Sequence, residues 1–295
     1  MESPSGARVA IDAPAYESRP RPVQPDRVEV TTLRDITGPV DFGRHSRDYA
    51  EQRPGPPDAF YDRIDRLRAL RGARALDLGT GPGVLALELA ARAATVVGLD
   101  LSENQIDAAR DRAEKRGLAG ACRFEIAPAE ESKQPDASFD LVTAGTCWHW
   151  FDHDRALAEV ARVLVPGGLL AIVNYTYLPQ YSELARESED LVVKWNPGWK
   201  LAGFNGLYPW LVDKMSAHPA MRLREQFCFD HDQPMTHAAW RGRMRTCNGV
   251  GSGSGMDAET VARFDADLAA LLAERHPEPL RIPHRVFCVV AEKAS

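Results

Sequence analysis

The chain has 295 residues, 44% apolar and 26% charged, a balance that excludes wholesale disorder, collagen and continuous coiled coil and allows one large domain or two small ones. Thirty-six Lys and Arg against forty-two Asp and Glu leave a net charge of -6, so no basic excess is available to displace counterions from a phosphate backbone, and no nucleic-acid partner is expected. Five widely spaced cysteines (Cys122, Cys147, Cys228, Cys247, Cys288) without a CxxC pair indicate neither a disulfide framework nor a zinc site, and a reducing, cytoplasmic setting is expected. No segment approaches the roughly 20 apolar residues that span a bilayer, so no membrane partner is expected either.

Nine of the 21 prolines lie in the first 57 residues, and residues 1–40 show no periodicity, which predicts a disordered leader. Residues 41–175 are expected to form the main core. From Ala73 onward, short β-branched runs alternate with amphipathic stretches, the pattern of a parallel sheet covered by helices. Strands are predicted at 73–79, 95–101, 122–127, 138–145 and 168–175, with helices at 84–93, 103–116 and 152–164. Ser102 and Gln105 have the spacing of a capping box, Gly117 is a natural helix stop, and Pro166, Gly167 and Gly168 predict a turn. Residues 176–220 carry Tyr177, Tyr181, Trp195, Trp199, Phe204, Tyr208 and Trp210 among Gly and Pro, and read as an inserted cap. In 221–295, β-rich runs at 222–230 and 285–293 are separated by helical patterns at 236–247 and 257–275; the two runs are expected to complete the same sheet as an antiparallel pair. The low-complexity GVGSGSG (249–255) predicts a flexible joint.

The run Asp77-Leu78-Gly79-Thr80-Gly81-Pro82-Gly83 ends strand one and opens a helix, where doubly wound sheets bind nucleotides. Its spacing is GxGxG. Val84 occupies the place of the third glycine in a dinucleotide fingerprint, so no pyrophosphate seat is predicted. Asp100, 21 residues after Gly79, tops strand two, where a carboxylate can accept both hydroxyls of a ribose. Asp77 stands in an apolar strand and must be compensated there; a ligand ammonium, bonded directly or through water, would do so. The competing reading is that these glycines and acids serve chain reversal alone.

ALDLGTGPG, VVGLDLS, SFDLVTAG and VLVPGGLLAI, in this order over residues 73–175, resemble the signature segments of class I S-adenosylmethionine-dependent methyltransferases, in particular the small-molecule enzymes of the type 11 group. The resemblance implies an α/β, doubly wound Rossmann-like sheet of seven strands ordered 3-2-1-4-5-7-6, strand 7 antiparallel, with the aromatic cap inserted. It implies S-adenosylmethionine as cofactor; no metal site is expected from the sequence. It assigns Gly79, Thr80 and Gly81 to the methionine portion, Asp100 to the ribose, and Leu101 and Gln105 to the adenosine neighbourhood, with Gly83 and Gly145 also among the expected cofactor-binding residues. Where relatives often carry Gly-Asp-Ala, this chain has Ala127-Pro128-Ala129-Glu130, which leaves the Ala129 amide and the Glu130 carboxylate for adenine. Tyr49 and Arg53, in HSRDYAEQRPGPP, match a Tyr and Arg-Pro segment that folds over the cofactor in related enzymes; a helix that only covers the sheet is the alternative.

Strand four ends in Cys147-Trp148-His149-Trp150-Phe151-Asp152, which places an imidazole between aromatics at the crevice rim. His149 is the candidate base, since imidazole can take a proton from an acceptor as methyl transfer proceeds. A packing block of Trp148 and Trp150 around a backbone-bonded His149 is the other reading. Trp195, Trp199, Tyr208 and Trp210 either enclose the acceptor or form the cap's own small core. Arg245, with Arg241, Arg243, His284 and Arg285, either binds an acidic acceptor or is solvated.

The expected activity is methyl transfer to a small organic acceptor, a metabolite or natural-product intermediate, with oxygen favoured. A protein that uses S-adenosylmethionine to steer a cyclisation without transferring methyl is the alternative, and the acidic balance counts against a macromolecular acceptor. Oligomeric state has no signal in the sequence.

Overall fold

A computed structural model describes residues 53–251 and 254–294. The leader predicted over 1–40, and Tyr49, lie outside the described residues. Seven strands form one sheet: β1 (Arg74–Leu78), β2 (Thr95–Asp100), β3 (Cys122–Ile126), β4 (Phe139–Gly145), β5 (Leu164–Tyr177), β6 (Met221–Met235) and β7 (Leu280–Lys293). Their order is 3-2-1-4-5-7-6, as the resemblance implies. The first five pair in parallel, and β7 runs antiparallel between β5 and β6.

The described helices are α1 (Asp58–Leu67), α2 (Val84–Ala91), α3 (Glu103–Lys115), α4 (His153–Val163), α5 (Glu183–Trp195), α6 (Pro209–Ala217), α7 (His237–Arg245) and α8 (Ala258–Arg275). One face of the sheet meets α1, α2 and α3 through Phe60, Ile64, Leu87 and Ile106. The other meets α4 and α6 through Leu157, Val160, Leu211 and Met215. Each such side chain contributes about 1.5–3 kcal/mol by leaving water. Because both faces are covered, β1 is buried on both sides, with Ala75 on the first face and Leu76 and Leu78 on the second.

Four corrections to the predicted elements have physical causes. The capping box does not form: Ser102 has no side-chain bond to α3, and its own amide is taken by the Asp100 carboxylate at 2.9 Å. The run 176–220 does not pack by itself: the apolar face of α5 (Leu184, Ala185, Val192) shares one cluster with Trp240 of α7 and with Phe264, Leu268 and Leu272 of α8. The near end of GVGSGSG is packed: a Cβ on Gly249 would lie 2.6 Å from Val192 Cγ1, and Val250 is fully buried. Finally, β6 continues five residues past its predicted end, through the polar run Asp230–Met235. It is an edge strand paired only with β7, so Pro234 is tolerated there despite its missing N–H.

Candidate cofactor and acceptor site

After β1 the backbone is left-handed at Gly79 (φ +60°), Gly81 (+52°) and Gly83 (+78°), a region L side chains enter only with strain. An added Cβ at Gly79 would lie 2.9 Å from Cys147 Sγ, so the turn packs tightly against the loop after β4. At Gly81 it would meet only Gln105 Oε1, 4.0 Å away, and the turn is open on that side. Gly83 is the N-cap of α2, which receives no side-chain cap.

The Asp77 carboxyl is buried beneath this turn, its Oδ1 accepting from Thr143 Oγ1 at 2.6 Å and its Oδ2 from Thr80 Oγ1 at 2.7 Å. Burial pushes its pKa up to about 6, against the opposing pull of the two hydroxyl bonds. Part of the compensation that a buried carboxylate needs thus comes from the protein's own Thr143, Thr80 and Ala86 amide. What Asp77 does is pin Thr80, whose amide also donates to Leu99 O at 2.8 Å, and so lock the turn between β1 and β2.

Asp100 is held differently. Its Oδ2 accepts the Gly81 amide and its Oδ1 the Ser102 amide, each at 2.9 Å. Burial raises its pKa, and the backbone amides oppose that rise. Each oxygen retains a second lone pair, enough to accept two hydroxyls of a cis-diol. Beside it, Leu101 is 66% exposed and Ile126 50% exposed, two bare apolar side chains on adjacent strand ends. Ile126 belongs to no motif, and only its place as the last residue of the third strand marks it in the sequence.

Gln105 is buried in the first turn of α3, and Ala129 is buried in the loop after β3. Glu130 Oε1 accepts the Asp152 amide at 2.7 Å, tying that loop to the start of α4. Gly145 lies under α2, where a Cβ would come 2.7 Å from Leu85 Cδ1.

On the acceptor side, the loop after β4 forms a single helical turn at Trp148–Trp150. Trp148 is fully buried, edge-on to Phe151 at 5.6 Å and stacked towards His153, which in turn stacks on Trp210 at 5.0 Å. His149 is half-buried beside Trp150, with ring centroids 5.1 Å apart, and among the described residues its ring has no hydrogen-bond partner. Burial draws its pKa down to about 3, and the charges of His153 and Arg53 add to the fall. The imidazole is therefore neutral at physiological pH. Tyr208 packs between Phe204 and Phe287, and burial pushes its pKa up to about 12. Arg53 donates to Thr246 O at 2.7 Å and to Thr246 Oγ1 at 3.3 Å, joining the segment before α1 to the end of α7.

Three of the predicted acceptor residues do not join this group. Trp195 Nε1 donates to Asp267 Oδ2 at 3.1 Å and Trp199 Nε1 to Asn248 Oδ1 at 3.0 Å, both rings packing into the cluster of α5, α7 and α8. Arg245 is paired with Asp265 at 2.7 Å, and the same carboxylate pairs with Arg241. Arg285 is held by Asp230. Of the predicted arginine set only Arg243 is buried, its guanidinium 5.1 Å from the centre of the Tyr177 ring.

Comparison with known proteins fits this architecture. A family described as a methyltransferase domain matches residues 76–172. The 27-O-demethylrifamycin SV methyltransferase of Amycolatopsis mediterranei is 39% identical over 131 residues, 43% of this chain and 48% of that protein. The demethylmenaquinone methyltransferase of Thermus thermophilus is 38% identical over 152 residues, 50% of this chain and 68% of the relative. The chain belongs to the class I S-adenosylmethionine-dependent methyltransferases. It spans between 42% and 53% of the length of the first curated relatives it matches. Among solved structures, a phosphoethanolamine N-methyltransferase of Haemonchus contortus shares the fold, with TM-score 0.51 and 18% identity over 87% of this chain and 61% of that one.

The cofactor of this methyltransferase family, S-adenosylmethionine, fits the residues present. The open side of Gly81, the spare lone pairs of Asp100 and the bare side chains of Leu101 and Ile126 offer a seat for an amino-acid chain, a ribose and a flat ring respectively. No described helix is long and apolar enough to cross a membrane, and no cluster of three or more His, Cys, Asp or Glu among the described residues could hold a metal ion.

Proposed function

We propose that this protein transfers the methyl group of S-adenosylmethionine to a small organic acceptor, with oxygen the favoured atom. The observation that carries the reading is the Asp100 carboxylate, fixed by the Gly81 and Ser102 amides beside the exposed Leu101 and Ile126. When bound, the cofactor supplies an electrophilic methyl on a sulfonium. Displacement there asks the protein mainly for alignment and exclusion of water.

Trp150 and Tyr208 wall the acceptor side, and His149 presents a neutral imidazole that can accept a hydrogen bond from a hydroxyl. With a pKa of about 3 it is a weak base. In this reading it orients the acceptor hydroxyl by accepting its hydrogen bond, and the proton freed on methyl transfer leaves to solvent. The name of the Amycolatopsis relative, which specifies an oxygen position, supports an oxygen acceptor.

Incubation with methyl-labelled cofactor and a panel of hydroxylated polyketides and quinols should give a labelled, organic-extractable product. Conversion of an acceptor without label would contradict methyl transfer and favour cofactor-assisted cyclisation. His149→Ala should lower turnover by about tenfold or more at unchanged cofactor affinity. Near-normal turnover would reduce His149 to a packing residue.

A further inference from the structure

At the carboxyl end of the parallel strands, β4 and β5 pair as far as Gly145↔Val173, and the two then part. β4 leads into the turn that carries His149, while β5 continues to Thr176 and Tyr177. Thr176 is half-buried, and its hydroxyl meets that of Tyr208, the residue just before α6. The Tyr208 ring is held between Phe204 and Phe287, with centroids 5.2 and 5.8 Å away, yet the residue is not sealed: like His149, it is only half-buried. Burial keeps the phenol protonated, against the pull of Thr176, Arg243 and Arg53, so it can donate.

Two guanidinium groups converge here. Arg53 donates to the carbonyl and hydroxyl of Thr246, and the Thr246 hydroxyl donates to the Arg243 carbonyl at 2.9 Å, so the end of α7 fixes both residues. The charge of Arg53 acts on His149 and Tyr208, and that of Arg243 on Tyr208 and His284. Among the described residues, no carboxylate acts on any of these three rings. Glu189 acts on Tyr177, which the alternation of β5 places on the opposite face from Thr176, and it accepts the Gly203 amide at 2.7 Å. Charges in such partly buried surroundings are weakly screened, and a hydroxyl bonded to an ionised group makes a stronger bond than one to a neutral group. An accessible phenol donor in a field of one sign therefore suits an anionic group on the ligand. Arg243, 8% exposed, contributes its charge, and contact falls to Tyr208.

We infer that the acceptor carries a carboxylate besides the hydroxyl it presents to His149, and that Tyr208 donates to this carboxylate, with Thr176 bonding the phenol oxygen and Arg243 and Arg53 supplying the surrounding positive charge. This rests on the methyl-transfer reading, and the test separates the two. Hydroxylated aromatic and polyketide compounds are offered with methyl-labelled cofactor as matched pairs, each free acid beside its carboxamide. Wild type should label the free acids with kcat/KM about tenfold or more above their carboxamides, the difference expected for one hydrogen bond to a charged group. Tyr208→Phe should lower kcat/KM of the acids about tenfold, mostly through KM, and leave the carboxamides as they were, at unchanged S-adenosylhomocysteine affinity by calorimetry. Arg243→Gln should act in the same direction. Equal labelling of acids and carboxamides by wild type, a comparison that needs no variant to fold, would overturn the inference, as would an equal loss on both in Tyr208→Phe. Wild type that labels no member of any pair would instead overturn the methyl-transfer reading itself.

Discussion

The cofactor side of the crevice draws its polar groups from Asp77, Thr80, Gly81, Asp100 and Thr143, most of them one strand and one helix apart, and fixes each through hydrogen bonds of 2.6–2.9 Å. The region around His149 instead brings Arg53, Tyr208 and Arg243 together from segments far apart in the chain. One region is built by local backbone geometry, the other by tertiary packing.

The sharpest way to break this contrast is at Asp77. Its folded pKa of about 6 lies above the ordinary carboxylate value of 3.8, so the folded state holds its proton to higher pH than the unfolded chain. The stability this group contributes is fullest below pH 3.8 and is lost as pH rises through about 6, an effect on the order of 3 kcal/mol. Denaturant melts of wild type and Asp77→Asn between pH 4 and 7 should therefore diverge, the wild type losing relative stability as pH rises. Parallel curves would show that Asp77 is not held as described.

A smaller effect belongs to Asp100→Ala, which should weaken S-adenosylhomocysteine binding by about 1–3 kcal/mol, the loss of hydrogen bonds to a charged acceptor. Unchanged affinity by calorimetry would count against its ribose role. The smallest belongs to the acceptor-side helices. Trp195→Phe removes the donor to Asp267 and should cost about 1 kcal/mol of stability while leaving turnover unaltered. A change in substrate preference would return Trp195 to the acceptor site.

The same contrast decides what could be read from the sequence. The parallel sheet and the glycine turn were legible because hydrophobic period and short-range spacing encode them directly. The partners of Asp77 were not, since Thr143 lies on another strand and becomes a neighbour only through the register Asp77↔Thr143. The capping box failed for a related reason: Ser102 and Gln105 have the right spacing, but Asp100 competes for the Ser102 amide from two residues away. On the acceptor side, aromatic composition could not separate Trp195 and Trp199, which donate to residues near α7 and α8, from Trp150 and Tyr208. The sorting depends on which helices cover α5, and α8 lies far along the chain from it.

The central claim is that the turn at Gly81, with Asp100 beneath it, seats the adenosyl donor. Calorimetric titration of wild type and Gly81→Val with S-adenosylhomocysteine tests it most directly. Saturable binding by wild type should vanish in Gly81→Val, whose added side chain fills the open side of the turn, while far-UV circular dichroism stays the same. Equal binding by both proteins, or no heat from wild type at millimolar ligand, would contradict it.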